Sequence, residues 1–389
     1  MQADCFWGYR RPDGRAGARN YLAIIPTVGC VNEVARRLAD ELPGARALLH
    51  HQGCGQLPPD LQQVRRVLIG LGTNPNVGAA LVVSLGCEGV PAHEVAQAIA
   101  ASGRPVATVC LQQIGGYSRT VAAGLEEGRR LAEGLAPLRR SKCGLDELTV
   151  GIKCGGSDTT SGLAANPAVG VASDALIDCG ATSLFCETTE VMGAEHVLAA
   201  RAAAPEVGRR LCETVLELEK GLNRFGVDMR GGQPSPGNIA GGITTIEEKS
   251  LGAICKAGGA PVQAVLGYGQ RPPGRGLFFM DSPGRELEVL TGLVAAGAQV
   301  LVFSTGRGVP QGFPIAPVVK VCGNARTCGW LGEHIDVNVS GVIDGSLTLQ
   351  EAGERVRAAV IAAASGEPTK AEAIGYVESM EIFVAGPPI

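Results

Sequence analysis

Three cysteines share one setting: Val28-Gly29-Cys30, Gln52-Gly53-Cys54 and Leu85-Gly86-Cys87 each follow directly on an apolar run. If those runs are neighbouring parallel strands, about 4.8 Å apart, their thiols converge on the scale of a cysteine-ligated iron or iron–sulfur site. The preceding glycine lets the backbone approach closely. A lone strand-end cysteine is most simply a buried small hydrophobe, but three in one positional class point to ligation. Three thiolates without an evident fourth leave an open coordination position, which a Lewis-acid metal needs in order to bind substrate. The metal ligands expected are therefore Cys30, Cys54 and Cys87, with iron, as Fe2+ or a [4Fe-4S] cluster, the candidate cofactor at that scale. Cys110 ends a fourth run without the glycine. The other cysteines, such as Cys143, Cys179, Cys186 and Cys255, are expected to be packing residues. His50, His51 and Glu88 fall in the same turns and are candidate acids or bases, a hydrogen-bonded structural histidine being the plainer alternative.

A second set follows later strands. Gly151-Ile-Lys-Cys-Gly-Gly-Ser-Asp-Thr-Thr-Ser (151–161) runs on to Asn166 and offers Lys153, Ser157, Asp158, Ser161 and Asn166 on a strand-to-helix turn, where backbone amides favour anions. An N-cap would account for Asp158 alone. Glu187-Thr-Thr-Glu190, with His196 beyond it, could hold a hard metal or move protons, against the reading of a solvated acidic helix start. Arg307 and Lys320 end two further strands with cations suited to a carboxylate or sulfonate. Lys153, Glu187 and Glu190 join His50 and Glu88 as catalytic candidates. Ser157, Asp158, Ser161, Asn166, Arg307 and Lys320 are candidates for holding substrate.

The elements that must position these groups are strands alternating with helices. Apolar runs at 21–28, 45–49, 79–85 and 105–111 are each followed by a turn, and helical spacing resumes over 31–42, 57–71 and 91–101. Strands at 148–153, 183–186, 262–266, 277–280, 299–304 and 318–322 alternate with helices such as 205–222 and 285–296. A charged stretch, 138–147, reads as a boundary. The expected fold is α/β: two doubly wound, mostly parallel-sheet domains of Rossmann or flavodoxin type, residues 1–145 and 146–389. The second carries a glycine-rich insertion over 227–244.

Composition excludes other classes. The 389 residues carry a net charge of -4 and no cluster of lysine and arginine, which leaves no footprint for nucleic acid. No apolar run approaches the ~20 residues of a membrane span, so a soluble, cytoplasmic chain is expected. Thirteen cysteines without a CxxC pair are neither a zinc ribbon nor a thioredoxin motif. No dinucleotide fingerprint follows a first strand, which disfavours a nucleotide-dependent oxidoreductase.

Longer stretches carry a resemblance. Gly8-Tyr-Arg-Arg-Pro-Asp-Gly-Arg15, Leu85-Gly-Cys-Glu88, Lys153 to Pro167, Glu187-Thr-Thr-Glu190, Gly241 to Gly252, Phe279-Met-Asp-Ser-Pro-Gly284 and Ser304-Thr-Gly-Arg-Gly308 span nearly the whole chain. Together they resemble the catalytic region of the altronate/galactarate dehydratase family, which also contains the large subunit of sulfolactate sulfo-lyase. The resemblance implies iron-dependent removal of water, or of sulfite, from a small 2-hydroxy acid. Sugar-acid dehydratases of this kind carry a β-rich SAF domain ahead of the catalytic signature, where this sequence begins. The resemblance therefore implies the large subunit of a split enzyme with a separate small SAF-like subunit, in an oligomer. A non-catalytic iron-binding homologue is the competing class.

Overall fold

The computed structural model describes residues 5–387 and Ile389. Its first strands are β1 (Cys5–Arg10), β2 (Ala16–Gly17), β3 (Tyr21–Pro26), β4 (Ala45–Ala47), β5 (Val77–Ser84), β6 (Val106–Cys110) and β7 (Ser141–Gly144). They are followed by β8 (Thr149–Cys154), β9 (Thr182–Cys186), β10 (Val262–Leu266), β11 (Gly276–Met280), β12 (Val300–Thr305), β13 (Val318–Cys322) and β14 (Val337–Asn338). A four-stranded sheet runs β4-β3-β5-β6 and a seven-stranded sheet β10-β11-β9-β8-β12-β13-β14, with every pair parallel. The architecture is mixed α/β with parallel sheets. A third, antiparallel sheet, β2-β1-β7, lies outside the expected elements and joins residues 5–10 to 141–144.

The apolar runs become strands because both of their faces are covered. All eight residues of β5 are buried. Ala79, Leu81 and Val83 meet Leu22 and Ile24 beneath the helices Asn32–Glu41 and Tyr117–Leu135, while Ala80 and Val82 face the opposite core with Ala23 and Ile25. Burial on two sides explains why such strands read as continuous runs instead of alternating ones. Each fully buried leucine, such as Leu81, contributes about 1.5–3 kcal/mol.

The core behind Ile25 and Val82 continues into the seven-stranded sheet, where Leu184, Phe278, Met280, Leu301 and Phe303 belong to the same cluster. The helices Pro58–Gly72 and Glu286–Ala295 pack together there. Their contact is so close that a Cβ at Gly70 would stand 2.3 Å from the carbonyl oxygen of Ala295, so only glycine fits. The carboxyl-terminal segment crosses the same core. Met380 and Ile382 are buried in it, Gln52 Nε2 donates to the Ile382 carbonyl at 2.6 Å, and Ile389 N donates to Gly55 O at 3.0 Å.

Because the strands are parallel, the carboxyl ends of β8, β9, β11, β12 and β13 share one edge. The turns at 155–161, 187–190, 281–285 and 306–308 therefore meet, which is where open α/β sheets hold ligands.

Candidate active site

Lys153 is the penultimate residue of β8, in register with Phe303 of β12, and its ammonium lies 4.9 Å from the centre of that ring. β9 ends at Cys186, and the next residue, Glu187, has φ 77°, the only positive φ outside glycine among the described residues. Left-handed backbone at a buried acid is strained and persists only where the surroundings over-determine it. Here Glu187 N donates to Ser282 Oγ at 2.9 Å and Thr188 N to Ser282 O at 3.1 Å. The turn brings both glutamates back toward β8. Lys153 Nζ donates to Glu187 Oε1 at 3.0 Å, with Glu286 Oε1 at 3.7 Å.

A second lysine completes the cluster. Lys256, on the short turn Cys255–Ala257, donates to Glu190 Oε2 at 2.6 Å and to Cys154 Sγ at 3.2 Å, and stands 3.8 Å from Glu187 Oε2. The Cys154 thiol donates to Glu190 Oε2 at 2.8 Å. Lys256 arrives there because the helix Ile246–Ile254 crosses a π-helical segment, Ser161–Ala165, at paired glycines. A Cβ on Gly162 would sit 3.1 Å from the Gly252 Cα. Such π segments concentrate at functional sites.

The two lysines and two glutamates are each at most 5% exposed. Any one alone would be too costly to bury as a charge, and together they cancel. Burial, then the charge of Glu190, push the Glu187 carboxyl up to about 7. Burial acts the same way on Glu190, but Lys256 and then Lys153 outweigh it and hold that carboxyl well below the usual range. Burial lowers both lysines, and their acidic partners overcome it and raise them. Burial, reinforced by Glu190, pushes the Cys154 thiol up to about 12. Ligand atoms of Cys154, Glu187 and Glu190 lie within 4.8 Å of one another, a spacing that could hold a metal ion. With no ion there, two ammonium groups neutralise the carboxylates and burial keeps the thiol protonated. The group is therefore equipped to move protons.

The cluster opens onto a cavity of about 530 Å³ lined by Lys153, Glu187 and Glu190 together with Ser157, Lys249 and Arg307. Arg307 is exposed and donates to the Gly237 carbonyl, tying the 233–238 loop across the mouth. Asp158, Ser161 and Asn166 line an adjoining recess of about 280 Å³. Their polar atoms are engaged within the protein. Asp158 Oδ1 accepts from Ser161 N and Thr160 Oγ1, Asp158 Oδ2 accepts from Asn324 Nδ2, and Asn166 bridges Gly252 O and Ser304 Oγ. Lys320 lies outside both spaces. It is fully buried, its Nζ has no hydrogen-bond partner among the described residues, and burial lowers its pKa to about 8 against the pull of Asp336. His196 is exposed and away from the cavity.

The three expected metal ligands lie beyond the carboxyl ends of β3, β4 and β5, adjacent strands of the four-stranded sheet, and all three are free and exposed. Their turns touch: Gly29 N donates to Gln52 O at 2.8 Å, and Thr27 Oγ1 to Glu88 Oε1 at 2.6 Å. Their sulfurs do not form a group with every separation inside 4.8 Å. One ion with metal–sulfur bonds of ~2.3 Å would need about that closeness. His50 is fully committed. Its Nε2 donates to Pro26 O at 2.8 Å, its Nδ1 accepts from Gln52 N at 3.2 Å, and burial lowers its pKa to about 4. With both ring nitrogens taken by the backbone, it braces the turn, contrary to the expectation of an acid or base. Glu88 likewise accepts from Gly86 N at 2.6 Å.

Comparison with known proteins identifies the family. Residues 145–386 match D-galactarate/altronate dehydratase, C-terminal, and residues 8–136 match D-galactarate dehydratase/altronate hydrolase, second domain. The chain belongs to the galactarate/altronate dehydratase family. Among its relatives, the (2R)-sulfolactate sulfo-lyase subunit beta of Chromohalobacter salexigens is 41% identical over 97% of both chains. Galactarate dehydratase (L-threo-forming) of Escherichia coli is 35% identical over 100% of this chain and 78% of its own length. Altronate dehydratase of Bacillus subtilis is 36% identical over 86% and 68%.

Two residues of the buried cluster lie outside the residues expected from sequence, Lys256 and Cys154. Lys256 sits in Ile254-Cys-Lys-Ala-Gly-Gly259, a lone cation in an apolar setting 66 residues from Glu190 and 102 from Cys154. That apolar setting was the available signal. Cys154 stood in a quoted motif, but its neighbour Lys153 drew the assignment.

Proposed function

We propose that this dehydratase-family chain is a lyase that removes the proton α to the carboxylate of a 2-hydroxy acid and expels the β substituent, as water from an altronate- or galactarate-type sugar acid. The observation that carries the reading is the buried Lys153–Glu187 pair at the floor of a cavity whose mouth bears Arg307 and Lys249. An α proton is weakly acidic, so a base must work beside a cation that stabilises the enediolate. Glu187 is that base and Lys153 that cation, while Arg307 and Lys249 hold the substrate carboxylate. The C–H electron pair passes into the carboxylate as the enediolate and returns to form the new double bond as the β C–O bond breaks, and the hydroxyl leaves as water with the proton that Glu187 has taken. Closure by the 233–238 loop excludes solvent from the enediolate.

Cys30, Cys54 and Cys87 would hold iron as a cluster, supplying a Lewis acid for a substrate oxygen. The carboxyl-terminal segment links that edge to the cavity, since Arg285 at the cavity rim pairs with Glu381 at 3.1 Å and Ile389 bonds Gly55. The two sheets are read as doubly wound, flavodoxin-like units with a division near 145. The name of the sulfo-lyase relative, subunit beta, supports a separate small subunit, of SAF type in this reading, within a cytoplasmic oligomer.

Release of sulfite from sulfolactate is the second reading, favoured by the end-to-end match to that subunit. The test is anaerobic purification with iron and acid-labile sulfide analysis, then assay of altronate, galactarate and (2R)-sulfolactate with and without a small subunit. Elimination from one of the acids is expected. Failure with all three, in protein loaded with iron, would overturn the lyase assignment.

A further inference from the structure

We propose that Lys256, which does not line the cavity, is a positioning residue that decides which of two adjacent carboxylates carries the mobile proton: it binds Glu190 and leaves Glu187 to exchange. The inference rests on reading the cavity as a proton-transfer site and names its proton carrier.

The asymmetry between the two acids is geometric. Glu190 Oε2 accepts from Lys256 at 2.6 Å and from the Cys154 thiol at 2.8 Å. Glu187 Oε2 is buried without a hydrogen-bond partner among the described residues, with Lys256 only as near as 3.8 Å. Glu187 has Lys153 on its other oxygen, but that ammonium is shared with the Cys154 carbonyl and faces Glu286. Cys186 at the end of β9 and Lys249 from the helix Ile246–Ile254 also face the pair, Lys249 acting on Glu190, and Arg285 and Arg307 line the same cavity. Lys256 can discriminate because it cannot wander. Its turn is pinned where Asp174 accepts from Gly259 N at 2.9 Å and from Ala260 N at 3.0 Å, and its side chain is 2% exposed. An ammonium this close to one carboxylate fixes it as an anion, and that anion in turn makes ionisation of its neighbour harder. The directions agree: Glu190 is held low and Glu187 is raised to about 7.

The test needs no substrate. Protein labelled with 13C at glutamate carboxyl carbons is titrated while its carboxyl infrared band is recorded. In the native chain one carboxyl is expected to protonate near neutrality, with the signal abolished by Glu187→Gln. In Lys256→Met the neutral-range signal is expected to survive Glu187→Gln and to vanish with Glu190→Gln, while Lys256→Arg keeps the native pattern. A neutral-range signal that still belongs to Glu187 in Lys256→Met overturns the proposal, as does the lack of any such signal in the native chain. Should Lys256→Met not fold, Glu190→Gln alone decides. Glu187 is then the nearest carboxylate left to Lys256, beside the Cys154 thiol, and the Glu187 midpoint should fall by about 1–3 pH units; an unmoved midpoint is fatal. Absence of turnover on every acid would sink the lyase reading and leave this titration result intact.

Discussion

Lys153 Nζ lies 3.0 Å from Glu187 Oε1, and the glutamate reaches it through the left-handed backbone at φ 77°. If Glu187 is the base, Glu187→Gln should lower kcat by about 10²–10⁴-fold. The native rate should climb with pH through about 7 and then level off, because only the deprotonated carboxylate accepts a proton. Stability should move oppositely. The folded carboxyl keeps its proton up to about 7 whereas the ordinary value is 4.5, so its contribution is complete below 4.5 and is lost as pH rises through 7. Melting temperatures of Glu187→Gln against the native chain, recorded from pH 4 to 8, check the sign: the difference should favour the variant increasingly toward pH 8.

Arg307 and Asp158 were paired in the sequence as substrate-holding candidates, and the structure separates them. Arg307 lies exposed at the cavity mouth, whereas both Asp158 oxygens are engaged by Thr160, Ser161 and Asn324. Arg307→Met should raise KM about 10- to 100-fold, the value of a lost charge-assisted hydrogen bond, with Tm nearly unchanged. Asp158→Ala should instead lower stability by about 1–3 kcal/mol through the lost cap and the orphaned Asn324 amide. Steady-state kinetics beside thermal melts separate the two outcomes.

The strands of the two large sheets were readable because burial on both faces writes an uninterrupted apolar run, as in 79–85 against the observed Val77–Ser84. β1 and β7 were not readable. Cys5–Arg10 mixes aromatic, glycine and charged residues, and its partner Ser141–Gly144 lies in a charged stretch more than a hundred residues away. Non-local pairing of that kind leaves no local signature. In the site, parallel strand ends were enough to nominate Lys153, Glu187, Glu190 and Arg307. They could not nominate Lys256, whose position depends on a helix crossing at Gly162 and Gly252. Nor could they reveal that His50 spends both ring nitrogens on backbone, since that follows from the fold of its own turn.

His50 supplies a stability test independent of catalysis. Burial lowers its pKa from 6.5 to about 4, so between those values the unfolded chain binds a proton that the folded chain refuses. Its contribution is therefore present above 6.5 and lost as pH falls toward 4, amounting to at most about 3 kcal/mol. His50→Gln, which can donate to Pro26 O but does not titrate, should be less stable than the native chain at pH 8 and should show a shallower loss of stability from pH 6.5 to 4. Chemical denaturation at both ends of that range measures the two slopes. Equal slopes would mean that His50 is not the group refusing the proton.

Two cysteines distinguish the proposed iron site from the proton-transfer cluster. Cys54 is an exposed free thiol on the turn beyond β4, and Cys154 is a buried thiol that donates to Glu190. A thiolate is the ligating form, and burial holds Cys154 protonated well past neutrality. Anaerobically prepared Cys54→Ala should lose most of its iron and acid-labile sulfide together, because a cluster deprived of one of three protein ligands is poorly retained. Cys154→Ala should retain both, with any loss of activity traced to the proton-transfer cluster by a changed pH profile. The reverse pattern, iron kept by Cys54→Ala and stripped by Cys154→Ala, would move the metal to the Cys154, Glu187 and Glu190 group and remove Cys30, Cys54 and Cys87 from the chemistry.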